Sequence, residues 1–176
     1  MSLTSALAQL YPVKPTDSSQ WPIYLRHYLP YIEESWPENL NNGNDAYLTS
    51  LDKLLRQRHD AGGRYFFFVR HEGRDVGIVN VYETENTFGI PLSDGNNLVL
   101  NIAEFYVMPN ARRKGFGGDI LAQIMQLAHD LGLSAIIAEA DKHLERANAF
   151  WRAQMDGALD LNGRNVYWKE LWNSNR

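Results

Sequence analysis

The spacing of apolar residues changes period along the chain, and the changes mark its elements. From Trp21 to about Trp36 the pattern is helical. Asp17-Ser18-Ser19-Gln20 precedes it as a cap, Pro22 suits a helix start, and Pro30 must kink or split the element, which predicts two short helices. After the Asn-rich stretch Asn39 to Asn44, Asp45 is positioned as a cap for a helix whose Leu48, Leu51 and Leu55 share one face, ending near Gly62-Gly63. At Arg64 the period shifts towards two. Tyr65 to Val69 is aromatic and β-branched, and His71-Glu72-Gly73-Arg74 turns it into a second run, Asp75 to Glu83, which predicts an antiparallel hairpin. Gly89, Pro91 and Asp94-Gly95 make 86–97 a long loop, and Leu98 to Val107 reads as a further strand, stopped by Pro109-Asn110. Ile120, Leu121, Ile124, Leu127, Ala128 and Leu131 then form one helical stripe, terminated at Gly132. A buried strand at Ser134 to Glu139, a helix at Leu144 to Met155 and a hairpin turning at Asn162-Gly163 complete the order. Helices, strands, helix, strand, helix and strands predict a mixed α/β (α+β) domain.

Composition narrows the classes. With 176 residues the chain suits one domain, and with no cysteine it has neither a disulfide nor a thiolate zinc site. A net charge of −4 opposes nucleic-acid binding, which needs clustered cations. No run approaches the roughly 18 apolar residues of a membrane span, and Met1 to Leu10 lacks the basic head and apolar stretch of a signal peptide, so the expected location is cytoplasmic. The five histidines, His27, His59, His71, His129 and His143, have no metal-ligand spacing.

The stretch Val107-Met-Pro-Asn-Ala-Arg-Arg-Lys-Gly-Phe-Gly-Gly-Asp-Ile-Leu121 carries the chemistry, because a strand passes there through a basic, glycine-rich turn into a helix. Gly115, Gly117 and Gly118 let backbone N–H groups converge, the helix start supplies unpaired donors, and Arg112, Arg113 and Lys114 add positive charge. A phosphate-bearing ligand follows. The turn is not a P-loop, since Lys114 precedes the glycines and Asp119 stands where a hydroxyl would be sought. It is not the dinucleotide fingerprint either, whose third glycine would fall on Ile120.

In this stretch the chain resembles the GNAT superfamily of N-acetyltransferases, whose signature of Arg or Gln, two residues, Gly, one residue, then Gly or Ala stands here as Arg112-Arg113-Lys114-Gly115-Phe116-Gly117. Val107-Met108-Pro109 resembles the family's strand end. The resemblance covers roughly residues 64–172, while 1–63 match only in being helical; it implies a single domain over 1–176, with 1–63 on the acceptor side and a mixed, mostly antiparallel central sheet flanked by helices. It further implies an acetyl-CoA site, with the pyrophosphate on the backbone of Arg113 to Gly118, the pantetheine along the strand containing Phe105 and Val107, and Arg112 and Asn148 as further contacts.

Members of the family transfer the acyl group by direct attack of an amine. A general base is then needed, and Glu104 is the candidate: alternation puts Ile102, Glu104 and Tyr106 on one strand face and Ala103, Phe105 and Val107 on the other. The family's usual Asn and its Tyr general acid on the last helix correspond here to Leu144 and Trp151, so Tyr167, with Tyr106 behind it, is the fallback acid and His143 an alternative base. Tyr28, Tyr31, Glu33, Glu34, Trp36 and Glu38 mix aromatic rings with carboxylates and suit a cationic amine. The expected acceptor is a small-molecule amine. Two other readings stand beside it: an acyl-CoA-binding module with little transferase activity, and acetylation of a protein amine. Five Trp, 9 Tyr and 7 Phe leave material for a homodimer interface.

Overall fold

The computed structural model describes residues 6–171. Met1 to Ser5, part of the N-terminal stretch read above, and Trp172, the expected end of the core, lie outside the described residues. The elements are β1 (Gln9–Val13), α1 (Trp21–Arg26), α2 (Tyr28–Ser35), α3 (Asn44–Asp60), β2 (Arg64–His71), β3 (Arg74–Glu85), β4 (Leu98–Val107), α4 (Phe116–Asp130), β5 (Ala135–Asp141), α5 (Glu145–Gln154), β6 (Gly157–Leu161) and β7 (Arg164–Glu170). Short 3-10 turns occupy Pro37–Leu40 and Pro109–Ala111. The seven strands pair in the order β1-β2-β3-β4-β5-β7-β6. The β4–β5 pair is parallel and the β1–β2, β5–β7 and β6–β7 pairs are antiparallel, so the expected mixed sheet is present.

Two compact units divide the chain: Met1–Asn80 with Glu104–Ile120, and Val81–Ala103 with Leu121–Arg176. In the first, Trp21, Tyr24, Tyr28 and Ile32 from α1 and α2 and Leu55 from α3 are buried with Phe66, Phe68, Ile78 and Tyr106 from β2, β3 and β4. The rings interlock, with Tyr24 within 6 Å of Trp21, Tyr28, Phe66 and Phe68. Such aromatic pairs add about 0.5–1.5 kcal/mol beyond their area. Trp21 Nε1 donates to Asp52 Oδ1 at 2.6 Å, which ties α1 to α3. In the second unit Ile90, Val99, Ala135, Ile137 and Val166 form the core, and α5 packs on β5 and β7.

Three details differ from the sequence expectations. β1 is a strand in a region expected to be helical; Pro12 is tolerated because β1 lies at the end of the strand order, where a missing N–H costs no ladder bond. The break between the first two helices falls at His27, and Pro30 sits in the first turn of α2, where its absent N–H has no helical acceptor. Asp45 is not the cap of α3 but lies in its first turn, after Gly43 at φ +90°. Its carboxylate still favours the helix start through the dipole.

Candidate active site

β4 leaves its β5 pairing early. The parallel pairs run from Val99↔Ala135 to Ile102↔Ala138, whereas β4 continues to Val107. Met108 N then donates to Val76 O at 2.8 Å, and the Pro109–Ala111 turn leads into the basic loop. Gly77 lets β3 approach there: a Cβ on it would collide with the backbone carbonyl of Tyr106 and lie 3.2 Å from Val107 Cα.

The loop holds Arg113 at φ +63° and Gly115 at φ +83°. Gly118 N and Asp119 N both donate to Gly115 O, at 3.1 and 3.3 Å, while the N–H groups of Phe116 and Gly117 at the start of α4 have no intrahelical acceptor. Arg113, Lys114, Gly115 and Gly118 are exposed, and a Cβ on Gly115 or Gly118 would meet nothing within 4 Å. Open space thus borders a helix N-terminus flanked by two exposed cations. Phe116 is buried, with its ring 4.5 Å from that of His71.

On the face of β4 covered by α2 and α3 lies Glu104. It keeps partial exposure, yet desolvation pushes its carboxyl from 4.5 up to about 7, against the lowering effects of a hydrogen bond from Tyr31 and the positive charges of Arg64 and Arg58. Three phenols surround this charge. Burial and the Glu104 carboxylate raise the ionisation of Tyr28 and Tyr31 well above the usual range and that of Tyr47 to about 12. All three therefore remain protonated donors at neutral pH. Arg64 Nη1 donates to Asn80 Oδ1 at 3.0 Å, and Asn80 Nδ2 donates to Tyr28 Oη at 3.4 Å, so a hydrogen-bonded row with Asn80 buried at its centre links β2, β3 and α2. Tyr106, two residues on, is also buried, and its Oη has no hydrogen-bond partner.

The other expected residues sit differently. Of the aromatic and acidic cluster on α2 and the turn after it, Tyr28, Tyr31 and Trp36 pack inward, whereas Glu33, Glu34 and Glu38 are exposed. In the second unit, buried Tyr167 donates its hydroxyl proton to Asn148 Oδ1 at 2.9 Å, and Asn165 Nδ2 donates to the same oxygen at 2.8 Å. Asn148 Nδ2 donates to Asp141 O and Leu144 O, both at 2.9 Å. Asn148 is thus a hub that ties α5 to β5 and β7. Trp151 is buried beside Phe150, and His143 is exposed. Among the described residues no group of three His, Cys, Asp or Glu side chains could hold a metal ion, and no helix is long and apolar enough to cross a membrane.

A model of the acetyltransferase (GNAT) family matches residues 25–155, which include β4, the basic loop, α4, β5 and α5. The chain belongs to the GNAT acetyltransferase family. No curated protein matches the sequence. Among solved structures it is similar to an acetyltransferase from Thermus thermophilus (18% identity, TM-score 0.64, 94% of this chain and 97% of that one). It is also similar to the PaiA N-acetyltransferase from Thermoplasma acidophilum in complex with coenzyme A (12%, 0.63, 97% and 99%). A third likeness is to the microcin C7 self-immunity acetyltransferase MccE in complex with acetyl-CoA and AMP (17%, 0.58, 93% and 92%).

As a GNAT protein the chain uses acetyl-CoA as acyl donor. Its loop fits that donor, because the open face over Gly115 and Gly118 and the unpaired N–H groups of α4 suit a pyrophosphate. Sequence reasoning missed Tyr47 and Arg58 from α3 and Arg64 from β2, which act on Glu104, and Asn80 of β3, which bonds Arg64 and Tyr28. Asn80 left a trace, a polar residue inside the apolar run Val79-Asn80-Val81. Arg64 left none, since a basic residue at a strand start is ordinary.

Proposed function

We propose that this GNAT protein is a cytoplasmic enzyme that transfers the acetyl group of acetyl-CoA to a primary amine of a small-molecule acceptor, by direct attack in a ternary complex with Glu104 as general base. Acetyl-CoA supplies the thioester-activated acetyl group. The backbone of Arg113 to Gly118 holds the pyrophosphate, Arg113 and Lys114 add charge, and the run of β4 past its β5 pairing, Phe105 to Val107, guides the pantetheine. The observation that carries the reading is the Glu104 carboxyl, raised to about 7 and bonded by Tyr31. A carboxylate with that value takes the proton that the acceptor nitrogen must lose for its lone pair to attack the thioester carbon, with CoA leaving as the thiolate, more readily than one near 4.5, and it stays ionised above neutrality. Tyr31 and Trp36, which keep partial exposure, offer ring faces to the cationic acceptor before deprotonation. Tyr167 has its proton committed to Asn148 and is given no transfer step.

Thermal unfolding with acetyl-CoA, ATP and NAD tests the donor, since a ligand at 100 times its dissociation constant adds about 2.7 kcal/mol. A shift with acetyl-CoA alone is expected. CoA release with a panel of small amines and lysine-bearing peptides then tests the acceptor. Turnover with peptides and none with small amines would replace the small-molecule assignment by protein acetylation.

A further inference from the structure

Arg112 is the first residue of the family signature, and all three nitrogens of its guanidinium donate hydrogen bonds within the first unit. Nε donates to Val107 O at 2.8 Å, Nη1 to Glu34 Oε1 at 2.8 Å and Nη2 to Glu34 Oε2 at 2.6 Å. The guanidinium carbon also lies 5.5 Å from the centre of the Tyr106 ring. Bonding to Glu34 raises the ionisation of Arg112 further above its usual range, so the guanidinium stays charged. The fork faces Glu34 and Val107 O, whereas Arg113 and Lys114 are the exposed cations of the loop.

We propose that Glu34 is a positioning residue for the donor site: by holding Arg112 in a bidentate fork it fixes how the 112–118 loop leaves β4, and so sets the affinity for acetyl-CoA without touching it. The inference rests on reading that loop as the acetyl-CoA site. Three features support it. Arg112 closes the turn over Met108 to Ala111 through Val107 O, and the backbone bonds inside that turn include a weak one, Arg112 N to Pro109 O at 3.4 Å. Arg113 occupies a left-handed conformation that disfavours a β-carbon, so the loop must be held from outside itself. Finally, Glu34 follows Tyr31 by three residues on α2, so one helix carries both the group that bonds Glu104 and the group that braces the donor loop. Lysine could not replace Arg112, because it lacks the planar fork and the Nε donor.

The test measures the dissociation constant of CoA by calorimetry, with KM for acetyl-CoA and kcat, for wild type, Glu34→Gln, Arg112→Lys and the double variant. Glu34→Gln should raise the dissociation constant and KM for acetyl-CoA about five- to tenfold, the range of a well-aligned, partly exposed fork. It should leave kcat and the acceptor KM within about twofold. Arg112→Lys should do the same, and the double variant should be no worse than Arg112→Lys alone, because both changes break one strut. Tyr31→Phe should show the reverse split, with CoA affinity retained and the acid limb of the pH profile moved. Wild-type CoA affinity in a folded Glu34→Gln protein, or tighter binding from a released Arg112, would overturn the positioning role while leaving the donor site intact. Failure of the folded wild type to bind CoA would overturn the loop assignment and this inference with it.

Discussion

Glu104→Gln should make the protein more stable and less active at once, and the size of the first effect follows from the carboxyl's environment. At 1.36 kcal/mol per unit, a rise from 4.5 to about 7 corresponds to about 3 kcal/mol, an upper bound because the side chain keeps some contact with solvent. The sign is set by proton uptake. Between pH 4.5 and 7 the folded state holds the Glu104 proton more tightly than the unfolded state, so stability falls as pH rises across that window. The full contribution is present below pH 4.5 and is lost above pH 7. A neutral amide of the same shape bears no such cost. At pH 8 Glu104→Gln should therefore unfold at a temperature higher by up to about 6–12 °C, at two to four degrees per kcal/mol for a chain of this size, and at pH 4.5 the gain should vanish. In CoA-release assays the variant should lose about 10²- to 10⁴-fold in kcat/KM. Wild-type kcat/KM should fall tenfold per pH unit below about 7. An acid limb near 4.5, or equal melting temperatures of the two proteins at pH 8, would refute the argument that desolvation tunes this carboxyl.

Other perturbations separate the donor site from its supports. Gly77→Ala drives a β-carbon into the Tyr106 carbonyl, a backbone atom that cannot swing aside, and should destabilise the fold by about 1–3 kcal/mol in urea unfolding. Gly117→Glu, which adds a side chain and negative charge at the start of α4, should abolish CoA binding in calorimetry, and unchanged affinity would contradict the pyrophosphate assignment. Asn148→Ala leaves Tyr167 and Asn165 without their shared acceptor and should cost about 2–4 kcal/mol. Tyr167→Phe should cost about 1 kcal/mol and keep kcat within a few fold, whereas a hundredfold loss would return Tyr167 to acid catalysis.

The loop proposed for the donor is legible in the sequence because its chemistry is local. Glycines that permit positive φ, cations beside them and an amphipathic helix behind them are adjacent in the chain, and no tertiary information is needed to see an anion site. Strand β4, helix α4 and the closing hairpin were equally plain, since each carries a sustained period and its own terminator at Pro109, Gly132 or Asn162-Gly163. β1 was hidden for the opposite reason. Five residues with a proline among them have no strand signal of their own, and they become a strand only because the exposed edge of β2 accepts them, from Gln9↔Arg70 to Val13↔Phe66. Asn148, expected as a cofactor contact, and Tyr167, expected as the fallback acid, are joined by a hydrogen bond that the sequence does not show, because it links α5 to β7 across 19 positions.

Glu104 shows where a single-strand argument stops. Alternation along β4 assigns its face, but its ionisation depends on Tyr31 from α2, Arg64 from β2 and Arg58 from α3, groups separated from it by 40 to 73 positions in sequence. The same neighbours explain why a half-desolvated carboxylate persists in an aromatic core. Its penalty of a few kcal/mol is set against a cluster of interlocked rings, Trp21, Tyr24, Tyr28, Phe66 and Phe68, each burying a large apolar area. A fold that needed only stability would place leucine at 104. A glutamate there, with a tyrosine donating to it, is the trade that the role proposed for Glu104 as general base requires.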